Sequence, residues 1–145
     1  MNEHIIQFIE KQKCASLCSA DAAGNLHCFS CFYAFNAVES LLYFKSSSGT
    51  DHIKMLTANP QTAGTILPDK LQVLAVKGVQ FRGTLLLSTD PLAQDAATQY
   101  HKKFPLALAM SGDVWTIQLT WIKMTDSSMG FGKKLQWSRN EKEVV

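Results

Sequence analysis

Apolar residues along this chain fall into short runs with strand-like alternation, cut by turns rich in glycine, proline, asparagine and aspartate. Residues 2–13 predict an amphipathic N-terminal helix, with Ile5, Ile6 and Ile9 on its apolar side and Lys11 and Lys13 near its C-terminal end. Cys14–Ala20 predicts a short strand, Asp21–Asn25 a hairpin turn and Leu26–Asn36 a second strand. On that second strand Leu26, Cys28, Ser30, Phe32 and Ala34 share one face, and His27, Phe29, Cys31, Tyr33 and Phe35 the other. Both faces are largely apolar. One can fill a barrel, and the other calls for cover by a helix, a second subunit or a ligand.

Further along, Leu41–Lys45 predicts a strand, Ser46–Thr50 a hydroxyl-rich turn, and the residues up to Pro60 a helix that the proline stops. Thr62–Leu67 predicts a strand, Pro68–Lys70 a turn, Leu71–Val76 another short strand, and Val79–Thr89 a long one that Gly83 can bend. Asp90-Pro91 has the N-cap and first-position proline of a helix start. The stripe Leu92, Ala96, Tyr100, Phe104 continues that helix to Pro105. Leu106–Met110 is a short apolar piece, and Ser111–Asp113 turns the chain into Val114–Thr125, a long strand apolar on both faces. Trp115 and Trp121 are expected to share one of those faces as core or dimer contacts. A final strand is predicted at Leu135–Arg139, with residues 140–145 frayed. Hairpins outnumber strand–helix alternations, so the expected fold is mainly β: one domain over residues 1–145, an antiparallel barrel with helical insertions.

Composition narrows the function. The 145 residues, 46% hydrophobic and 18% charged, suit one globular domain. The 14 basic and 12 acidic residues are dispersed and no basic run exceeds two, which argues against a nucleic-acid partner. No basic-then-apolar leader and no run near the ~20 apolar residues of a membrane span occurs, so a cytoplasmic, membrane-free protein is expected. Cys14, Cys18, Cys28 and Cys31 superficially have zinc-site spacing, but Cys28 and Cys31 point to opposite faces of a strand. They are therefore expected as buried thiols, with no metal. His4, His27 and His101 stand apart without metal-ligand spacing, and no nucleophile elbow, dinucleotide fingerprint or Walker loop is present.

One segment carries candidate chemistry. A helix start near Thr50 presents unpaired N–H groups and partial positive charge. Ser46, Ser47, Ser48 and Thr50 surround it with hydroxyls, and Lys45, His52 and Lys54 add cationic or titratable groups. This suits a phosphate, and the same residues also read as an ordinary capped helix with Thr50 or Asp51 as N-cap.

The order of these elements resembles the FMN-binding split-barrel superfamily, typified by pyridoxamine 5′-phosphate oxidase. The resemblance rests on Tyr43-Phe44-Lys45 running into Thr50-Asp51-His52, then Leu56 and Asn59-Pro60. The whole chain to Arg139 is most similar to the YhbP-like branch. The residues concerned are Val79–Gly83, Phe104-Pro105, Val114-Trp115 with Ile117, Ile122–Asp126, Gly130–Lys134, and Trp137 with Arg139. It implies a six-stranded antiparallel Greek-key split barrel that forms a homodimer with FMN at the subunit interface. Carried over, Thr50 matches the phosphate-binding hydroxyl and His52 the phosphate-binding lysine. Lys45, Ser46 and Ser47 flank them, and Cys28, Phe29, Ser30 and Cys31 form the strand whose backbone faces the isoalloxazine. Gln80 and Arg82 lie on the strand that sends a polar side chain to the flavin, and Lys133, Lys134 and Trp137 could reach a flavin across the dimer. Two departures stand out: His52 replaces a lysine and Asp51 an arginine, which implies weak or pH-dependent anion binding. The functional expectation is an FMN-dependent oxidoreductase of unknown substrate. The alternatives are a flavin or haem binder without turnover, or a dimer with an empty groove.

Overall fold

The structure is a computed structural model, described for residues 1–130 and 133–140. Helix α1 spans Glu3–Lys11, capped by Asn2, whose side chain accepts from the His4 N–H at 2.8 Å. Its buried residues are Ile5, Phe8 and Ile9; Phe8 takes the place expected of Ile6, because three- and four-residue steps from Ile5 reach Phe8 and Ile9. The strands that follow are β1 (Cys14–Ala20), β2 (Leu26–Asn36) and β3 (Leu41–Ser46). Helix α2 (Asp51–Ala58) comes next, then β4 (Gln61–Ile66) and β5 (Lys77–Leu85). Helix α3 (Ala96–Lys103), β6 (Asp113–Asp126) and β7 (Lys134–Ser138) complete the chain.

All neighbouring strands are antiparallel, in the order β3-β2-β1-β4-β5-β6-β7, and β3 also pairs with β6. That last pairing closes six strands into a barrel, with β7 added outside. Edge sharing on β6 makes this possible: β3 takes residues up to Gln118, and β7 takes Trp121–Thr125. Arg139 clamps the handover. Its guanidinium donates to the carbonyls of Leu119 (2.7 Å), Glu39 (2.9 Å) and Ser40 (2.9 Å).

A β-bulge corrects one expectation. The β5–β6 register slips between Arg82 and Gly83, so Arg82 faces Trp121 while Gly83 faces Leu119. The extra residue, Thr120, reverses the alternation of β6. Ile117 and Leu119 point into the barrel before it, and Ile122 and Met124 after it. Trp115 therefore packs on the core, whereas Trp121 lies outside beneath the Arg82 guanidinium, 4.4 Å from the ring centre. The two tryptophans do not share a face. Gly83 permits the close crossing, since a Cβ there would sit 2.6 Å from Ile117 Cγ2.

Other differences are local. Residues 71–76 form a turn, not a strand, and Leu71, Val73, Leu74 and Val76 are exposed. The helix expected to run unbroken from Asp90 to Phe104 is a 3₁₀ turn at Pro91–Ala93 followed by α3. Its stripe survives the break: Ala96 and Tyr100 are buried, and Leu92 and Phe104 pack beside them on Ala34, Leu41 and Tyr43 of the barrel's outer wall. Thus the second apolar face of β2 and β3 is covered by α3 at one end. At the other end Leu26, Cys28, Ser30 and Phe32 stay exposed. Cys28 and Cys31 do face opposite ways, but the thiols are not uniformly buried: Cys14 and Cys28 are exposed. No helix among the described residues is long and apolar enough to cross a membrane.

Candidate functional site

The β2–β3 ladder runs from Asn36–Leu41 to Tyr33–Phe44 and stops there. Beyond it the two strands part, although β2 continues to Leu26 and β3 to Ser46. Among the described residues, the backbone edge of Ser30 that faces β3 therefore has no β3 partner. A cleft of about 540 Å³ fills the opening, within the size range of small-molecule sites. Phe29, Ser30, Cys31 and Phe32 form one lip, and Phe44, Lys45 and Ser46 the other. Tyr100, Lys103, Phe104 and the 3₁₀ turn Pro105–Ala109 close the top, with Met110 and Ser111 beside them.

Polar groups gather at the β3 end. The Thr50 side chain caps α2 by accepting from the Ile53 N–H at 3.4 Å, which sets His52 over the end of β3. His52 Nε2 lies 2.7 Å from Ser46 Oγ, and its ring stacks on Phe29 at 3.9 Å between centres. Burial first, then the charge of His27, lowers the His52 pKa from its usual 6.5, against the pull of Asp51. The imidazole is consequently neutral at pH 7. Lys45 Nζ donates to the Ala107 carbonyl at 2.6 Å and lies 3.0 Å from His101 Nε2, tying the 3₁₀ turn to β3. An ammonium has three donors, so one remains for a ligand. Trp115 Nε1 donates to the Ser46 carbonyl at 2.9 Å, and Gly112 passes so close to Ser46 that an added Cβ would lie 3.3 Å from its carbonyl carbon.

Inside the cleft, two groups are quiet. Burial pushes the Cys31 thiol up to about 12. Lys103, its pKa lowered chiefly by burial, donates to the Gln12 carbonyl at 2.7 Å and rests 4.6 Å over Tyr33. The structure thus brings together Phe29, Ser30, Cys31, Lys45, Ser46 and His52. Ser47 and Thr50 sit on the turn outside the lining, and the Thr50 hydroxyl is spent on the cap and on the Ser47 carbonyl. Cys28, Gln80 and Arg82 line a separate hollow on the outer barrel wall. Lys133 and Lys134 are exposed at the start of β7, and Trp137 packs on the core beneath Arg139. Phe131 and Gly132 of the Gly130–Lys134 bend, and the tail from Glu141, lie outside the described residues. Sequence reasoning missed Tyr100, Lys103, Phe104 and the Pro105–Ala109 wall. The available signal was the apolar run Leu106–Met110, too long and too exposed for a simple connector.

A barrel closed by β3–β6, with a lateral opening between β2 and β3 and an aromatic cleft in it, defines a split-barrel protein. No protein-family model matches the chain. It is 36% identical over 137 residues to a UPF0306 protein of Yersinia pseudotuberculosis, covering 94% of this chain and 92% of that one, and it belongs to the UPF0306 family. Among solved structures it resembles a haem-binding protein from Mycobacterium smegmatis (TM-score 0.73, 13% identity, 90% of this chain and 55% of that one). It also resembles a FAD-binding protein from Mesorhizobium loti (TM-score 0.67, 14% identity, 87% and 95%) and an F420 reductase (TM-score 0.63, 14% identity, 84% and 98%). These likenesses establish the fold, a split barrel.

Proposed function

We propose that the chain is a homodimeric FMN-binding redox protein of the YhbP-like branch, with the flavin in the β2–β3 opening. The observation that carries this reading is the opening itself. It pairs an open backbone edge at Ser30 and the Phe29–Phe32 wall with a hydroxyl, a lysine and an imidazole on the β3 side. A flat heteroaromatic ring suits the first lip, where strand backbone can hydrogen-bond its polar rim. A phosphate suits the second, where Lys45, Ser46 and His52 all line the cleft. When bound, a flavin supplies hydride and electron transfer; the chain's residues hold it and shield it from water.

A second copy would complete the site. Leu26, Phe32, Leu106, Leu108 and Met110 are exposed around the cleft, at 74%, 55%, 90%, 69% and 68%, and this apolar rim fits a subunit interface. In such a dimer Gln80, Arg82, Lys133 or Lys134 of one protomer would approach the flavin of the other. Haem is the second reading, favoured by His52 in the lining of an apolar cleft and by His101, which lies behind Lys45 of that lining. Each Nε2 lies within hydrogen-bonding distance of a neighbour, so a metal bond would first have to break that contact.

The absorption spectrum of the purified protein, alone and after adding FMN or haemin, decides between them. Flavin bands that dithionite bleaches and air restores are expected. A Soret band with no flavin uptake would replace FMN by haem, and a protein that takes up neither would sink both.

A further inference from the structure

We propose that Cys18 and Cys28 are a redox-active dithiol that closes to a cross-strand disulfide on the outer wall of the barrel. The two residues are direct partners in the β1–β2 ladder. The Tyr33 N–H donates to the Lys13 carbonyl at 3.0 Å, which makes 13–33 a hydrogen-bonded pair. Antiparallel pairs alternate, so counting along the register puts Cys18–Cys28 on a non-hydrogen-bonded pair. There the backbones lie about 4.5 Å apart at Cα and side chains approach most closely, inside the range a disulfide spans without moving the chain. The Cys18 thiol donates to the Ser19 carbonyl at 3.7 Å, a weak contact that leaves it free to turn toward Cys28. Its pKa is raised by burial first and then by the neighbouring Cys28.

The surroundings leave the pair open. Both line the hollow of about 370 Å³ whose other walls include Ala63, Gly64 and the Arg82–Trp121 stack. Cys28 is exposed and Cys18 partly so, which makes Cys28 the sulfur that an oxidant meets first. Hydrogen peroxide, the simplest hydroperoxide, is the oxidant proposed. The Cys28 thiolate attacks the peroxide, an S–O bond forms as the O–O bond breaks, and the first water leaves. Cys18, giving up its proton, then attacks that sulfur, the S–S bond forms, and the oxygen departs as the second water. The dithiol loses two electrons and the hydroperoxide gains them. The other two cysteines serve as an internal control. Cys14 faces Phe32 and Cys31 faces Ala15, so they sit on opposite sides of the sheet, and the Cys31 thiol is largely buried. This inference does not depend on which ligand fills the β2–β3 cleft, and it requires the hollow to stay open to peroxide in the proposed dimer.

The test is to treat the folded chain with hydrogen peroxide, block free thiols with N-ethylmaleimide in denaturant and map peptides by mass spectrometry without reduction. The expected product is a monomer lighter by two hydrogens, with a Cys18–Cys28 linked peptide and both remaining thiols alkylated. The Cys14→Ser and Cys31→Ala variants should give the same linkage, and Cys28→Ser should lose it. A Cys14–Cys31 link, a disulfide between two copies, or oxidation that stops at separate sulfinic acids would each overturn the proposal. So would equal alkylation of all four cysteines after oxidation.

Discussion

Replacing His52 by lysine puts the phosphate corner under direct test. In the wild type the imidazole is neutral at pH 7, because burial and His27 hold its pKa below 6.5. A phosphate hydrogen-bonded to Ser46 Oγ would lie close to position 52, since His52 Nε2 is itself 2.7 Å from that oxygen. Two unit charges ~4 Å apart interact by about 1 kcal/mol in water and about 4 kcal/mol in a surface-like medium. The corner is half open to solvent, and a lysine loses rotamer freedom there, so the lower end applies. A gain of about 1 kcal/mol corresponds to roughly five-fold tighter FMN near pH 8. The sign of the pH dependence follows from linkage. Bound phosphate raises the His52 pKa, so the histidine contribution is complete below the free-protein value, under 6.5, and fades as pH rises through the bound-state value. His52→Lys keeps its charge throughout. The ratio of the two affinities should therefore grow with pH, and ratios cancel the titration of the phosphate itself. Quenching of FMN fluorescence, titrated between about pH 6 and about pH 9 around the histidine range, measures it. A variant that binds no tighter at high pH, or a ratio that stays flat, would refute the placement of the phosphate at Ser46 and His52.

Three further outcomes test the frame around the cleft. Arg139→Ala removes donors from three carbonyls where β3 hands β6 to β7, and should cost about 2 kcal/mol in urea unfolding, discounted for partial exposure. A cost below about 0.5 kcal/mol, typical of a plain surface site, would mean the clamp is idle. Gly83→Ala puts a methyl 2.6 Å from Ile117 Cγ2 and 2.8 Å from the Gln118 carbonyl oxygen, and about 1–3 kcal/mol of destabilisation is expected from overpacking. Unchanged stability would show that the bulge can relax. Lys45→Met cuts the tie between β3 and Ala107, so limited proteolysis should cleave Pro105–Met110 faster while global stability barely moves. Unchanged cleavage would show that α3 holds the wall without help.

Much of the barrel was legible because it is encoded locally. The Asp21–Asn25 turn, the Thr50 and Asp90 caps and the two-faced pattern of β2 each follow from neighbouring residues. What stayed hidden depends on distant partners. Thr120 looks like any strand residue, and its bulge arises because Gly83 lets another strand come close. The apolar residues at 71–76 alternate like a strand, but no described strand takes them as a partner. The cleft was half visible: Lys45, Ser46 and His52 lie within one stretch of sequence. Its upper wall comes from Tyr100 to Ala107, far along the chain. The cysteine pair was within reach. Ala20 and Leu26 close the hairpin, and Cys18 and Cys28 stand two residues from each, so the turn alone fixes them face to face.

The central claim is a flavin whose phosphate sits against β3, and a paired titration with FMN and with riboflavin, which lacks the phosphate, tests it most directly. One FMN per chain, bound at least ten-fold more tightly than riboflavin, is expected from about 1.4 kcal/mol or more of charge-assisted hydrogen bonding at Lys45 and Ser46. That margin should shrink in Lys45→Met. Equal affinities for the two flavins, or no binding of either to the folded protein, would contradict it.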